Sequence, residues 1–324
     1  MNKLNLIKTA TLGVMGAADG IGVTGPANAM AARADVGEVI LEKDATGKPH
    51  SGKVFAAIHA HLDDIPYYCA GTCAKFIAEG YTGYLIRTSN DEKCGGKTSA
   101  QNILSNEQEN LKMAKGLGFA DVYDLYYRNH RMNNISFQEM RSRMVFLFRH
   151  LKVDTVVTFN PWGHGEENPD HWVTGRVVEE ACWMSAMGND YPEHKLAGIE
   201  PHGVRERYYF VGRPGQPFNR VVDISSHIEK KIDSIAECKS QGGGNRGSLL
   251  RARLKKEGKR LPILGNDDRT ADREYIRLFM LDTQRQAGRQ HGVEYAESFY
   301  YIDQRRPDGP SDVEKYIEKN AVKL

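Results

Sequence analysis

The chain has 324 residues, 40% hydrophobic and 27% charged, with a formal net charge of +2. That length and apolar content suffice to bury a sizeable core, and the near balance of charge gives no electrostatic basis for a polyanionic partner, so nucleic acid is not expected. Five cysteines, Cys69, Cys73, Cys94, Cys182 and Cys238, contain no CxxC pair and are odd in number, which excludes a zinc-ribbon pattern and a fully paired disulfide framework.

In chain order, Lys3 and Lys8 precede an uncharged stretch of small and apolar residues over 9–18, and Ala27-Asn28-Ala29 and Ala29-Met30-Ala31 offer small-x-small cleavage sites. Residues 1–34 are therefore read as an export leader, which places the mature chain in the periplasm or outside the cell. Lys3-Leu4 stands where a twin-arginine signal carries its arginines, and Asp19 interrupts the apolar stretch, so the competing reading is a disordered cytoplasmic extension. No later apolar run is long enough to span a bilayer. Strand-like segments at 54–58, 84–88, 122–127, 155–159, 207–211 and 297–302 alternate with helix-like ones at 66–79, 106–117, 137–151, from Asp170, 225–240 and 273–290. Such alternation predicts an α/β fold, a Rossmann-like and mostly parallel sheet with helices on both faces. Residues 35–324 are taken as one domain, and the polar, basic stretch 242–272 as an insertion. Two long loops, 89–101 and 188–205, are the segments expected to shape specificity.

The chemistry concentrates in two short segments. The apolar run 54–58 leads straight into His59-Ala60-His61-Leu62-Asp63-Asp64, so His61 and Asp64 should emerge at the carboxyl end of a buried strand, where open α/β sheets place their ligands. Asn168-Pro169-Asp170-His171 offers the complement. Two imidazoles and a carboxylate suit zinc or another divalent first-row ion with a position open for water. His61, Asp64 and His171 would be the ligands, and the ion would lower the pKa of its water from about 15.7 to roughly 7. Asp63 is the candidate general base, because consecutive residues leaving a strand point in different directions. Asp170 fits a carboxylate that orients a ligand histidine. His59, still on the strand, is expected to be a satisfied core histidine. Asn129, His130 and Trp162 are candidate substrate contacts, while Trp172 is expected to pack against helices.

His61-Leu62-Asp63-Asp64 with Asn168-Pro169-Asp170-His171 resembles the LmbE-like, or PIG-L, family of metal-dependent de-N-acetylases, whose signatures are His-Pro-Asp-Asp and His-Pro-Asp-His. The similarity extends over about residues 54–241 and includes Pro161-Trp162, Leu117-Gly118 and Lys239-Ser240-Gln241. Carried over by motif position, the resemblance implies His61, Asp64 and His171 as metal ligands and Asp63 as general base. It implies an N-acetylated amino sugar or glycoconjugate as substrate, with Zn2+ as cofactor and Fe2+ as the alternative. Leu62 replaces the usual Pro, and Ile65 stands where an acidic residue often follows. Glu107 and Asn110 occupy places where an Arg and a Glu are common. Asn168 replaces a histidine thought to contact the reacting carbonyl; its amide can donate to an oxyanion but cannot shuttle a proton. His164, four residues earlier, is the candidate acid for the leaving amine. Two other readings remain: hydrolysis of a non-sugar amide at the same site, and a carbohydrate-binding relative that has lost catalysis. Oligomeric state is not legible at this level.

Overall fold

Apolar strands that are to be buried on both faces need helices above and below them, and the chain supplies both. The computed structural model describes residues 38–304 and 310–322; the leader read at residues 1–34 lies outside the described residues. Among those described, eight strands form one sheet: β1 (Ile40–Glu42), β2 (Val54–His59), β3 (Thr82–Ser89), β4 (Asp121–Tyr127), β5 (Thr155–Phe159), β6 (Glu206–Phe210), β7 (Arg220–Asp223) and β8 (Ala296–Asp303). Their order is β1-β7-β8-β6-β5-β2-β3-β4. All neighbours pair in parallel except β8, which runs antiparallel to both β6 and β7.

The helices are α1 (Asp64–Tyr68), α2 (Ala70–Ala78), α3 (Ser99–Leu117), α4 (Phe137–Leu151), α5 (Pro169–Ser185), α6 (Glu193–Leu196), α7 (Ile228–Glu237), α8 (Arg246–Lys256), α9 (Asp268–Phe279), α10 (Asp282–Gln290) and α11 (Asp312–Asn320). Side chains alternate across β2, as a strand requires. Phe55 and Ala57 join Phe76, Met113, Leu117, Ile232 and Ile235 in one core. Ala56 and Ile58 join Met140, Phe148, Val173 and Val177 in the other. Cys69, Cys73 and Cys238 are buried, unpaired packing groups. No described helix is long and apolar enough to cross a membrane.

Several boundaries differ from expectation, each for a physical reason. The helix expected over 66–79 is two helices that break at Cys69. Lys231 Nζ donates to the carbonyls of Pro66 and Tyr67, both at 2.8 Å, at the end of α1. Glu297 accepts from the N–H groups of Gly71 (3.2 Å) and Thr72 (2.8 Å) at the start of α2. The two side chains pair at 2.8 Å with no solvent exposure. A cation at one helix C-terminus and a carboxylate at the next N-terminus satisfy orphan backbone groups and complement both helix dipoles. Neither partner is near in sequence, so periodicity alone could not show the break.

The helix expected to begin at Asn106 begins at Ser99, because Thr98 and Gln101 form a capping box; the loop after β3 is correspondingly short. That helix ends at Gly118 with φ 101°, a left-handed position that glycine adopts without strain. The single helix expected over 273–290 is α9 and α10, interrupted at Met280-Leu281. Strands β1 and β7 are short, and their signal was lost among polar neighbours. The stretch 242–272 is not a bare loop: it contains α8, a 3-10 turn at Pro262–Leu264 and the first turn of α9.

Candidate metal centre

Beyond His59 the chain turns sharply through Ala60 to Asp63 and enters α1. Asp64, the first residue of that helix, folds its carboxylate back so that Oδ2 accepts from the N–H groups of Ala60 (3.1 Å) and His61 (2.7 Å). Its Oδ1 is left facing His171, 3.2 Å from Nε2. His171 lies in the first turn of α5. Pro169 opens that helix, and Asn168 caps it through Oδ1, which accepts from the Asp170 N–H at 3.0 Å. His61 Nδ1 lies 3.1 Å from His171 Nε2.

One donor atom each from His61, Asp64 and His171 thus falls in a group no more than 4.8 Å across. Tetrahedral bonds of about 2.0–2.1 Å would set donors roughly 3.3 Å apart, close to the 3.1 and 3.2 Å separations. All three residues are buried. Two ring nitrogens and a carboxylate converging with little water suit a divalent ion, so the donor set fits the group that the sequence implies.

Behind each histidine stands a carboxylate. Asp170 Oδ2 is 3.1 Å from His61 Nε2 and also accepts from Asn129 Nδ2 (3.2 Å) and the His130 N–H (2.7 Å). Glu166 Oε1 is 3.2 Å from His171 Nδ1 and pairs with Arg213 Nη2 at 3.0 Å. Asp91 Oδ2 accepts from the Leu62 N–H and from Arg87 Nη1, both at 3.1 Å, and so holds the peptide between His61 and Asp63. Five carboxylates, Asp63, Asp64, Asp91, Glu166 and Asp170, face two arginines, and the resulting field favours a cation.

The titration behaviour follows from that excess. Burial and the adjacent Asp64 charge push the Asp63 carboxyl up to about 7. Asp64 is held well below the usual range because His171 and His61 outweigh the cost of burial. Burial opposes charge on His171, but Asp64 and Glu166 raise it to about 10. His61 is raised too, against burial, chiefly by its hydrogen bond to Asp170. The centre therefore retains protons where a bound cation would displace them.

The structure brings His61, Asp64, His171, Asp63 and Asp170 together. Asp63 sits at the start of α1 without using its carboxylate as a cap, which leaves that group available. His164 is exposed on the preceding loop, where its carbonyl accepts from Gln216 Nε2 at 3.0 Å. Asn129 is not an open substrate contact: it is buried, with its amide on Asp170 and its Oδ1 accepting from the Lys93 N–H (3.2 Å). His130 presents its ring edge to His61, centroids 6.0 Å apart. Trp162 is exposed and packs edge-on against Tyr209 and Tyr300. Trp172 stacks on Phe137. His59 departs from expectation: it is buried with neither ring nitrogen hydrogen-bonded, and burial drives its pKa to about 3. Glu166, Asp91, Arg87 and Arg213 were not legible as site residues. Glu166, five residues before His171, carried the only nearby signal.

A mostly parallel α/β sheet with a His/Asp/His cluster at its carboxyl edge defines the class. Residues 56–182, which span both motifs, match the family model described as PIG-L: GlcNAc-PI de-N-acetylase. The diacetylchitobiose deacetylase of Thermococcus kodakarensis is 27% identical over 195 residues, covering 58% of this chain and 70% of that protein. The N,N'-diacetylchitobiose deacetylase of Pyrococcus horikoshii, solved with an inhibitor, has a TM-score of 0.62 at 21% identity, over 78% of this chain and 84% of that one. GalB, the 4-carboxy-2-hydroxymuconate hydratase of Pseudomonas putida, has a TM-score of 0.57 at 18% identity, over 80% and 100%. These structural likenesses establish the fold; with a hydratase among them, the fold alone does not set the reaction.

Proposed function

We propose that the chain is a metal-dependent deacetylase that hydrolyses the N-acetyl group of an amino sugar or of a glycoconjugate bearing one. The observation that carries this reading is the convergence of His61 Nδ1, Asp64 Oδ1 and His171 Nε2 beside the unengaged Asp63 carboxylate. Similarity to a diacetylchitobiose deacetylase supports the acetylated sugar. Zinc suits the donors best, and ferrous iron is compatible with them.

A bound divalent ion would supply Lewis acidity to water and to the acyl oxygen. Asp63 accepts the proton of the attacking water, a role for which its carboxylate, beside the three donors and not used as a helix cap, is placed. Asp170 and Asp91 keep the His61 ring and the Leu62 peptide in place while this happens. Because Oδ1 of Asn168 is committed to capping α5, its Nδ2 is the end left to donate to the developing oxyanion. His164, exposed on the same loop, protonates the leaving amine, and collapse releases acetate and a free amino sugar. Residues 35–324 act as one enzymatic domain, with 1–34 directing export.

The test is amine release from a panel of acetylated amino sugars and acetylated non-sugar amines, with wild type and Asp63→Asn. Turnover of a sugar that falls about 10²–10⁴-fold in the variant, at unchanged metal content, is expected. Turnover confined to non-sugar amides would move the substrate class. No turnover by wild type on any amide would leave only a binding protein.

A further inference from the structure

We propose that Glu166 is a positioning residue for the metal ligand His171 and that Arg213 keeps it in that role, an inference that rests on the metal-dependent reading above. For His171 to present Nε2 toward His61 and Asp64, the ring proton must sit on Nδ1, and an acceptor there selects that tautomer. Glu166 Oε1 lies 3.2 Å from Nδ1, in ion-pair contact though off the N–H axis, and its negative charge favours a proton on that nitrogen; its side chain is only 7% exposed. Phe159 stacks on the imidazole, centroids 4.3 Å apart at 18°. That stack sets the ring plane but says nothing about which nitrogen is protonated, so the two contacts do different things.

Glu166 is itself held from two directions. The Asn168 N–H donates to Oε1 at 3.1 Å, and Arg213 Nη2 donates to the same oxygen at 3.0 Å. Arg213 belongs to the segment between β6 and β7, where Gln216 Oε1 accepts from the N–H groups of Gly212 (3.0 Å) and Arg213 (3.2 Å). Gln216 Nε2 then donates to the carbonyl of His164 at 3.0 Å. The circuit from Glu166 through Arg213 and Gln216 to His164 cross-links the loop before α5 to the loop after β6. It is the counterpart, on His171, of what Asp170 does for His61. A loop staple with no effect on the ligand is the competing role, and metal affinity separates the two.

The experiment compares wild type, Glu166→Gln, Arg213→Met and His171→Ala for Zn2+ affinity by chelator competition, for the visible spectrum after Co2+ substitution, and for melting temperature after chelation. Glutamine still accepts from the Asn168 N–H but is a weaker partner for the ring N–H. Glu166→Gln should lower affinity about 10–100-fold and alter the Co2+ spectrum, with the melting temperature of the chelated protein little changed. Arg213→Met should weaken binding in the same direction by a smaller factor, and it serves if the Glu166 variant folds poorly. Affinities within twofold of wild type in both variants, with His171→Ala unable to bind, would overturn the inference and leave the metal reading intact. Failure of wild type itself to bind one ion would remove the reading on which it rests.

Discussion

In the first half of the centre, His61, Asp63 and Asp64 lie within four consecutive residues, and Asp64 secures the turn by bonding the N–H groups of Ala60 and His61. In the second half, His171 is oriented by Glu166, Glu166 by Arg213, and Arg213 by Gln216, which comes from the far side of β6. The first half is a property of one turn; the second is a property of how two loops meet. Asp91 and the Lys231–Glu297 pair reinforce the first half from a distance, but its donors are already placed by local hydrogen bonds. A perturbation of the β6–β7 loop should therefore reach the metal through His171 before it reaches it through His61.

The largest effect that would sharpen this contrast is loss of a ligand. His171→Ala should reduce bound metal from about one ion per chain to near none, read by elemental analysis of protein purified without added metal, and deacetylation should fall to background. Equal metal content in both proteins would mean that the second half contributes no ligand. His164→Ala comes next. If the exposed loop supplies the acid, turnover should fall about 10²-fold with metal content unchanged; a change within twofold would end that assignment.

The smallest effect is in stability. Asp63 lies at about 7 rather than 3.8, so its contribution to folding is complete below 3.8 and lost as pH rises through 7. His171 lies at about 10 rather than 6.5, and its contribution is complete below 6.5 and lost as pH rises through 10. Buried His59, at about 3 rather than 6.5, works in the opposite direction below 6.5, so chelated protein should lose melting temperature as pH is raised from about 7 to 10. Metal-loaded protein should not, because the cation replaces those protons, so the gap between the two should widen with pH. A constant gap across that range would show that the protons and the ion do not compete for one centre.

The two motifs were legible because they are contiguous and each carries its own context. A run of apolar residues marks the buried strand before His61, and Asn168-Pro169 marks the helix start before His171. The alternation of periodicities likewise conveyed the mostly parallel sheet and the extents of α4 and β5. Legibility failed where a distant side chain decides a local outcome. Lys231 and Glu297 break a helix that its own residues would have continued, and Asp170 takes the Asn129 amide that the sequence offers as a substrate contact. His59 is placed without hydrogen-bond partners by the core around it.

What the sequence by itself determined is the set of donors, His61, Asp64 and His171 with Asp63 beside them, because residue chemistry and the two secondary-structure periods are local quantities. What only the tertiary structure decided is how those donors are aimed: Asp170 behind His61, Glu166 and Arg213 behind His171, and Asp91 under the Leu62 peptide. Apart from the Glu166–His171 contact, these are bonds between groups tens to more than a hundred residues apart; they leave no periodic trace in the chain and exist only once the sheet has brought its loops to one edge.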